Sequence, residues 1–258
     1  MNRATRSAVD WARYLDAFHA KRPGITEDVL GQCAAVDGTT PYEWLVDGIR
    51  ADLRVLDIGC GSAPTKPVLG DRWIGIDRSA TELRRAAVRR APVALGDAVH
   101  LPIRSHCIDV VVCSMALMLF DPLDAALAEI GRVLVPNGQV RAIVPATAPL
   151  TVSDRVAYLR LAFAARRRPR FPLTPLDRSL EPFEAAHLLV TGDEVRRFVY
   201  PLSERGAAQS FVDSWYSYPA RTADNIPRHR RRSPRTPATI GVGLRRIIAL
   251  ATPSAAGS

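Results

Sequence analysis

The sequence predicts an α/β chain: a doubly wound, mainly parallel seven-stranded sheet with an N-terminal helical lid and an inserted cap. Three observations carry this expectation. Between 53 and 145, short apolar runs rich in β-branched residues alternate with helix-length segments, and strands joined by crossovers make a parallel sheet. Capping signatures mark where several helices begin. Outside that block the rhythm changes, to helices before residue 50 and to links and isolated runs after Pro145.

Taken in order, "VDWARYLDAFHA" places Trp11, Tyr14, Leu15 and Phe18 at helical spacing. "TPYE" opens a second helix, with Thr40 as N-cap, Pro41 at the first position and Glu43 closing a capping box. "LRVLDI" and "WIGID" read as buried strands. "SATE" starts a helix through Arg90 by a box of Ser79 with Glu82, which Pro92 stops. "VALGD" (93–97) and "IDVVVC" (108–113) are the third and fourth strands. Asp121 caps a helix with Pro122 in its first turn and Leu123, Leu127, Ile130 and Leu134 on its buried face. "PNG" turns into the fifth strand, "QVRAIVP".

Beyond Pro145 we expect a helix over 153–165, a proline- and arginine-rich link "RRRPRFPLTP", and a strand over 194–202. A helix from Ser203 to about Tyr216 follows, then "RTADNIPRHRRRSPRTPA" as an exposed mobile loop, and "TIGVGLRRIIAL" as a final edge strand. The divisions are a lid at 1–50, a binding core at 51–146, a cap and linker at 147–193, and a C-terminal part at 194–258 with the basic loop.

Composition narrows the function. No apolar run is long enough to span a bilayer, and the N-terminus lacks an apolar signal core, so the expectation is a cytoplasmic protein. Cys33, Cys60, Cys107 and Cys113 have no paired metal spacing, which predicts reduced thiols and no metal. The net charge of +9 comes almost wholly from arginine. Arginine runs at 166–170 and 228–235 read first as solvated loops, and otherwise suit an anionic target, a phosphorylated small molecule, a lipid headgroup or RNA, of which RNA fits least because no aromatics are interleaved.

The chemistry gathers at strand ends. In parallel α/β sheets ligands bind beyond the carboxyl ends of the strands. Those ends carry Asp57, Asp77, Asp97 and the Cys113–Ser114 pair. The loop "VLDIGCGSAP" after the first strand has Gly59 and Gly61, but Pro64 stands where a dinucleotide fingerprint has its third glycine. A pyrophosphate needs N–H donors and no anion beside them. Asp57 places a carboxylate there and Pro64 withholds an N–H, so the loop suits a cationic ligand better than a phosphate. S-Adenosylmethionine combines such a positive end with a ribose diol and an adenine, which the three carboxylates could engage by charge-assisted hydrogen bonds.

The segment 53–145 resembles the class I S-adenosylmethionine-dependent methyltransferases, of Rossmann-like fold, and within them the type 11 group that includes quinone-biosynthesis enzymes. "VLDIGCGSAP" matches their first motif and "WIGIDRSATEL" resembles their second strand. "GDAVHLPIRSHCIDVVVCSMAL" and "ALAEIGRVLVPNGQV" are similar to their later signatures. The resemblance implies S-adenosylmethionine as cofactor. It implies a site made of Asp57, Gly59, Cys60, Gly61, Asp77, Arg78, Asp97, Ala98, Cys113 and Ser114, with Asp77 at the ribose and Asp97–Ala98 at the adenine. The expected reaction is methyl transfer to an O, N or C nucleophile of a small molecule, anionic or lipophilic.

Three departures stand out. Ala63 replaces a usual glycine, a mild change if its φ stays negative. The first crossover helix is stunted by two prolines. Met118 stands where many relatives carry a histidine, so no catalytic base is assigned, and His19 or Tyr14 on the first helix is the stand-in. His100, His106, His187 and His229 are scattered and read as surface or packing residues. The rival readings are an inactive cofactor- or RNA-binding relative and a nicotinamide-dependent oxidoreductase.

Overall fold

The computed structural model describes residues 3–169, 176, 179–203, 206–217 and 238–252, with side chains from residue 11 onward. Helices α1 (Arg3–Lys21), α2 (Ile25–Leu30) and α3 (Pro41–Val46) precede the sheet. The sheet comprises β1 (Val55–Ile58), β2 (Trp73–Asp77), β3 (Val93–Leu95), β4 (Ile108–Ser114), β5 (Leu134–Pro145), β6 (Leu188–Pro201) and β7 (Thr239–Ala251). Between them lie α4 (Lys66–Leu69), α5 (Ala80–Val88), α6 (Leu123–Val133), α7 (Val152–Ala165), α8 (Glu181–Ala185) and α9 (Ala207–Asp213).

The strand order is β3-β2-β1-β4-β5-β7-β6, and β7 pairs antiparallel with both neighbours. The chain runs outward from β1 through β2 to β3, then returns to β1's other side as β4. The gap above β1 and β4 is therefore the topological switch point, where a ligand crevice opens. Successive side chains of β1 and β4 alternate between two cores. Val55, Val110 and Val112 face one, and Leu56, Ile58, Val111 and Cys113 face the other beneath α6.

Local signals account for most elements. The Thr40–Glu43 capping box forms as expected, and α4 is a single short turn. At α5, Ser79 accepts the Glu82 N–H, but the Glu82 carboxylate turns away from the box, and the helix ends at Val88 rather than Arg90. Pro122, not Asp121, is the N-cap of α6, and no side chain caps it. β6 begins at Leu188, upstream of the expected 194. Described helix α9 starts at Ala207 and stops at Asp213, since Gly206 in the left-handed region sets its start.

The last strand corrects the sequence reading. β7 is interior and β6 is the edge. Arg245 and Arg246 lie in the middle of β7. Both are buried and engage β6, Arg245 with Asp193 at 2.6 Å and Arg246 with Glu194 at 2.8 Å. Helix α7 is fastened to the sheet by buried Asp154, which accepts from Arg197 at 2.8 Å and from the Gly241 N–H at 2.8 Å. The basic run at 228–235 lies outside the described residues, as does Arg170 of the run at 166–170.

Candidate functional site

The glycine loop after β1 is shaped by backbone need. Gly59 has φ 71°, and a Cβ there would sit 2.4 Å from the Ala116 Cβ. Gly61 has φ 52° with open space where its side chain would be. Ala63 also takes positive φ, 64°, against the sequence expectation, so a left-handed turn that glycine adopts freely is held here by an alanine buried in the core.

Asp57, at the end of β1, is buried among apolar neighbours. Its Oδ2 accepts from the Thr65 hydroxyl, which in turn accepts from Trp73 Nε1 at 3.0 Å. Its Oδ1 has no hydrogen-bond partner. Burial pushes this carboxyl up to about 7, against the lowering effect of the Thr65 hydrogen bond. A buried carboxylate oxygen without a donor is costly alone and is a strong attractor for a cationic group.

Asp77, at the end of β2, ties the loop to the next helix. Its Oδ2 accepts the Gly61 N–H at 2.8 Å and its Oδ1 the Ser79 N–H at 2.7 Å. Burial raises its pKa as well, and these two backbone donors oppose the rise. Asp97 is exposed beyond β3 and accepts the Val99 N–H at 3.2 Å, and the adjoining Ala98 is buried.

Nine of the sequence-selected positions line one cavity: Asp57, Gly59, Cys60, Gly61, Asp77, Arg78, Asp97, Ala98 and Ser114. Cys113 does not join them. Strand alternation turns its fully buried thiol to the α6 side of the sheet, opposite Asp57. Cys60 lines the cavity with a buried thiol, and burial raises its pKa far from that of a reactive thiolate. Asp109 is structural, held by Arg54 through bonds of 2.7 and 2.8 Å. Among the described residues, no cluster of His, Cys, Asp and Glu could hold a metal ion.

Helices α1 and α2 close over this cavity. Leu15, Asp16, His19, Gly24 and Glu27 line it, and its free volume is about 120 Å³. Trp11 Nε1 donates to the Leu119 carbonyl at 3.1 Å, and Asp16 meets Arg78 at 3.4 Å. Tyr14 accepts the Ser217 N–H at 2.6 Å and lies outside both cavity linings, so it is an anchor.

His19 stands differently. Its Nδ1 lies 3.0 Å from Glu82 Oε1 and its Nε2 lies 3.2 Å from the Tyr216 hydroxyl. Glu82 is buried and held by the Gly24 N–H at 2.9 and 3.0 Å, which explains why it abandons the capping box. Sequence spacing could not reveal this chain, because its members come from α1, α5 and the segment after α9.

Tyr216 also belongs to a second, larger cavity of about 820 Å³ beyond β4 and β5. Its walls are largely apolar: Val29, Leu30, Met115, Met118, Leu150, Tyr158, Leu159, Phe211 and Trp215, with Arg155 as their charged member. Thr26, Met115 and Tyr216 are common to both cavities, so the two meet at Tyr216.

Comparison with known proteins agrees with this geometry. A family model described as "Methyltransferase domain" matches residues 56–142. A malonyl-[acyl-carrier protein] O-methyltransferase of Geobacter sulfurreducens is 29% identical over 143 residues, covering 52% of this chain and 48% of that protein. A demethylmenaquinone methyltransferase of Mycolicibacterium paratuberculosis is 34% identical over 96 residues, covering 36% and 42%. The chain thus spans about half the length of these curated relatives. Among solved structures, the YcgJ protein of Bacillus subtilis superposes with TM-score 0.55 at 18% identity, over 83% of this chain and 98% of that one, a likeness of fold.

Proposed function

Residues 56–142 are a class I S-adenosylmethionine-dependent methyltransferase domain of the type 11 group, and from that premise we propose that the chain methylates a small lipophilic molecule. The observation that carries the reading is the unpartnered Asp57 Oδ1, buried in a cavity that Asp77 and Asp97 also line. Asp57 and the Gly59–Gly61 loop would hold the cationic methionine end, Asp77 the ribose hydroxyls, and Asp97 with Ala98 the adenine. Bound there, the cofactor supplies an electrophilic methyl group on a sulfonium. The same unpaired oxygen opposes a pyrophosphate, which disfavours a nicotinamide cofactor.

The second cavity takes the acceptor. Its apolar walls select a lipophilic molecule, and Arg155 on its lining offers a partner for an anionic substituent. The segment 1–50 acts as a lid. With α1 and α2 lying over it, the first cavity has a free volume of about 120 Å³. Of the segment 147–193, Leu150 and the α7 residues Arg155, Tyr158 and Leu159 wall the acceptor cavity and serve as its cap.

The residues Glu82, His19 and Tyr216 provide a route for the acceptor's proton. With the His19 proton on Nδ1 facing Glu82, Nε2 is left to accept from the Tyr216 hydroxyl. As the acceptor's nucleophilic atom gives its proton to the Tyr216 oxygen, Tyr216 passes its own to His19 Nε2, and the Glu82 carboxylate stabilises the imidazolium. This relay fills the role left open by Met118, which lies buried on the acceptor cavity.

The test is to incubate purified protein with a cell extract and methyl-labelled cofactor, then partition the mixture between water and organic solvent. Label in a small organic-soluble product is the expected result. Label confined to macromolecules would refute a small lipophilic acceptor, and no labelling at all would favour a relative that binds the cofactor without transferring its methyl.

A further inference from the structure

Helix α7 is apolar on both sides. Its inner face carries Ala157 and Ala165 into the core, beside the Asp154 anchor. Its outer face carries Val152, Leu159 and Phe163, exposed to 79%, 70% and 88%, with Val156 between them at 40%. These positions recur at the three- and four-residue steps of one helical stripe. Single exposed apolar residues are ordinary, but an aligned row including a nearly fully exposed phenylalanine is not.

The same face carries charge of one sign. Arg155, Arg160 and Arg166 are exposed, and among the described residues none of them carries an ion pair. The helix has one acid, Asp154, and it is turned inward to Arg197. Apolar side chains flanked by arginines that can lay their stems along an apolar surface and keep their heads in the polar layer fit a lipid–water boundary. No described helix is long and apolar enough to cross a membrane, so the fit is to lying on a surface.

We propose that the outer face of α7 docks the protein on an anionic phospholipid surface, with Val152, Val156, Leu159 and Phe163 inserted at the acyl boundary and Arg155, Arg160 and Arg166 among the phosphates. Arg155 and Leu159 belong both to this face and to the lining of the 820 Å³ cavity. A lipid-dissolved molecule therefore has an apolar path from bilayer to cavity. Docking itself is independent of the methyl-transfer reading, because it needs neither cofactor nor acceptor.

Co-sedimentation of the full chain with phosphatidylcholine vesicles, with and without phosphatidylglycerol, tests this. Wild type should pellet with the anionic vesicles and release as salt rises. Val152→Ser with Phe163→Ser, which leaves every arginine in place, should lower the partition coefficient at least about tenfold with the thermal midpoint unchanged. Arg160→Gln with Arg166→Gln should weaken it by a similar factor. Binding that survives the Val152→Ser/Phe163→Ser change would overturn the proposal, since charge elsewhere would then explain it. So would a wild-type dimer that this double variant converts to monomer without any vesicle binding, because a second copy would then cover the face.

Discussion

If Asp57 holds the cofactor's ammonium as proposed, cofactor affinity should depend on pH. In the free protein its carboxyl is raised to about 7 by burial, so the neutral form is the one the fold favours. A group raised above its unfolded value stabilises the fold at low pH, and this contribution fades as pH rises through about 7. A bound ammonium reverses the preference, because only the ionised carboxylate attracts it. The ionised fraction goes from about a tenth at pH 6 to about nine-tenths at pH 8, so affinity should rise roughly tenfold, or ~1.4 kcal/mol. Above about pH 8 the ligand's own α-amino group begins to lose its proton and affinity should fall again. Calorimetric titration with S-adenosylhomocysteine, which keeps the ammonium, reads the curve. Repeating it in buffers of different ionisation enthalpy reads the proton released at pH 6. Asp77, Asp97, Asp16, Glu27, Glu82, His19 and Arg78 share the cavity, so the control is a pair of variants. Asp57→Asn should flatten the acid limb and His19→Gln should leave it. A wild-type affinity that is flat between pH 6 and 8, or a limb that survives Asp57→Asn, would show that Asp57 does not hold the ammonium.

Other outcomes follow from the same geometry. Asp77→Ala should weaken cofactor binding at least about tenfold, because charge-assisted hydrogen bonds of roughly 1.5–3 kcal/mol are lost, as titration would show. Gly59→Ala should abolish binding and lower the thermal midpoint, since its Cβ would lie 2.4 Å from the Ala116 Cβ. Tyr216→Phe and Glu82→Gln should each lower kcat about a hundredfold with little change in cofactor affinity, and steady-state kinetics on the identified acceptor would separate the two effects. Asp154→Ala strips Arg197 and the Gly241 N–H of a buried partner and should cost about 3 kcal/mol in denaturant unfolding. Arg197 also holds the Asp154 carboxyl below its usual range, so that contribution should persist at neutral pH and fade only in strong acid.

That Asp57, Gly59, Gly61 and Asp77 share one cavity was legible in the sequence because the signals they carry are local. Asp57, Gly59, Gly61 and Asp77 sit on short strands and turns whose residues declare themselves: apolar run, glycine, acid. What joins them was not legible. That the Asp77 carboxylate reaches the Gly61 N–H depends on β1 and β2 being neighbours, and that Ser114 rather than Cys113 faces the cavity depends on which way β4 is turned in the sheet. The Glu82–His19–Tyr216 contacts were hidden for the same reason, with Glu82 read as a capping residue because its nearest signal was Ser79. β7 proved interior rather than an edge, and the acids that pair with its Arg245 and Arg246 lie on β6, some fifty residues away in sequence. Ala63 shows a further gap, because a positive φ at an alanine leaves no trace in the residue name.

The cavity above β1, β2 and β4 is proposed as a methyl-donor site. Titration of the wild-type chain with S-adenosylmethionine and, separately, with NADH tests it most directly. One molecule of S-adenosylmethionine should bind per chain, and NADH should give no heat. Absence of S-adenosylmethionine binding, or NADH binding at the same site, would contradict it.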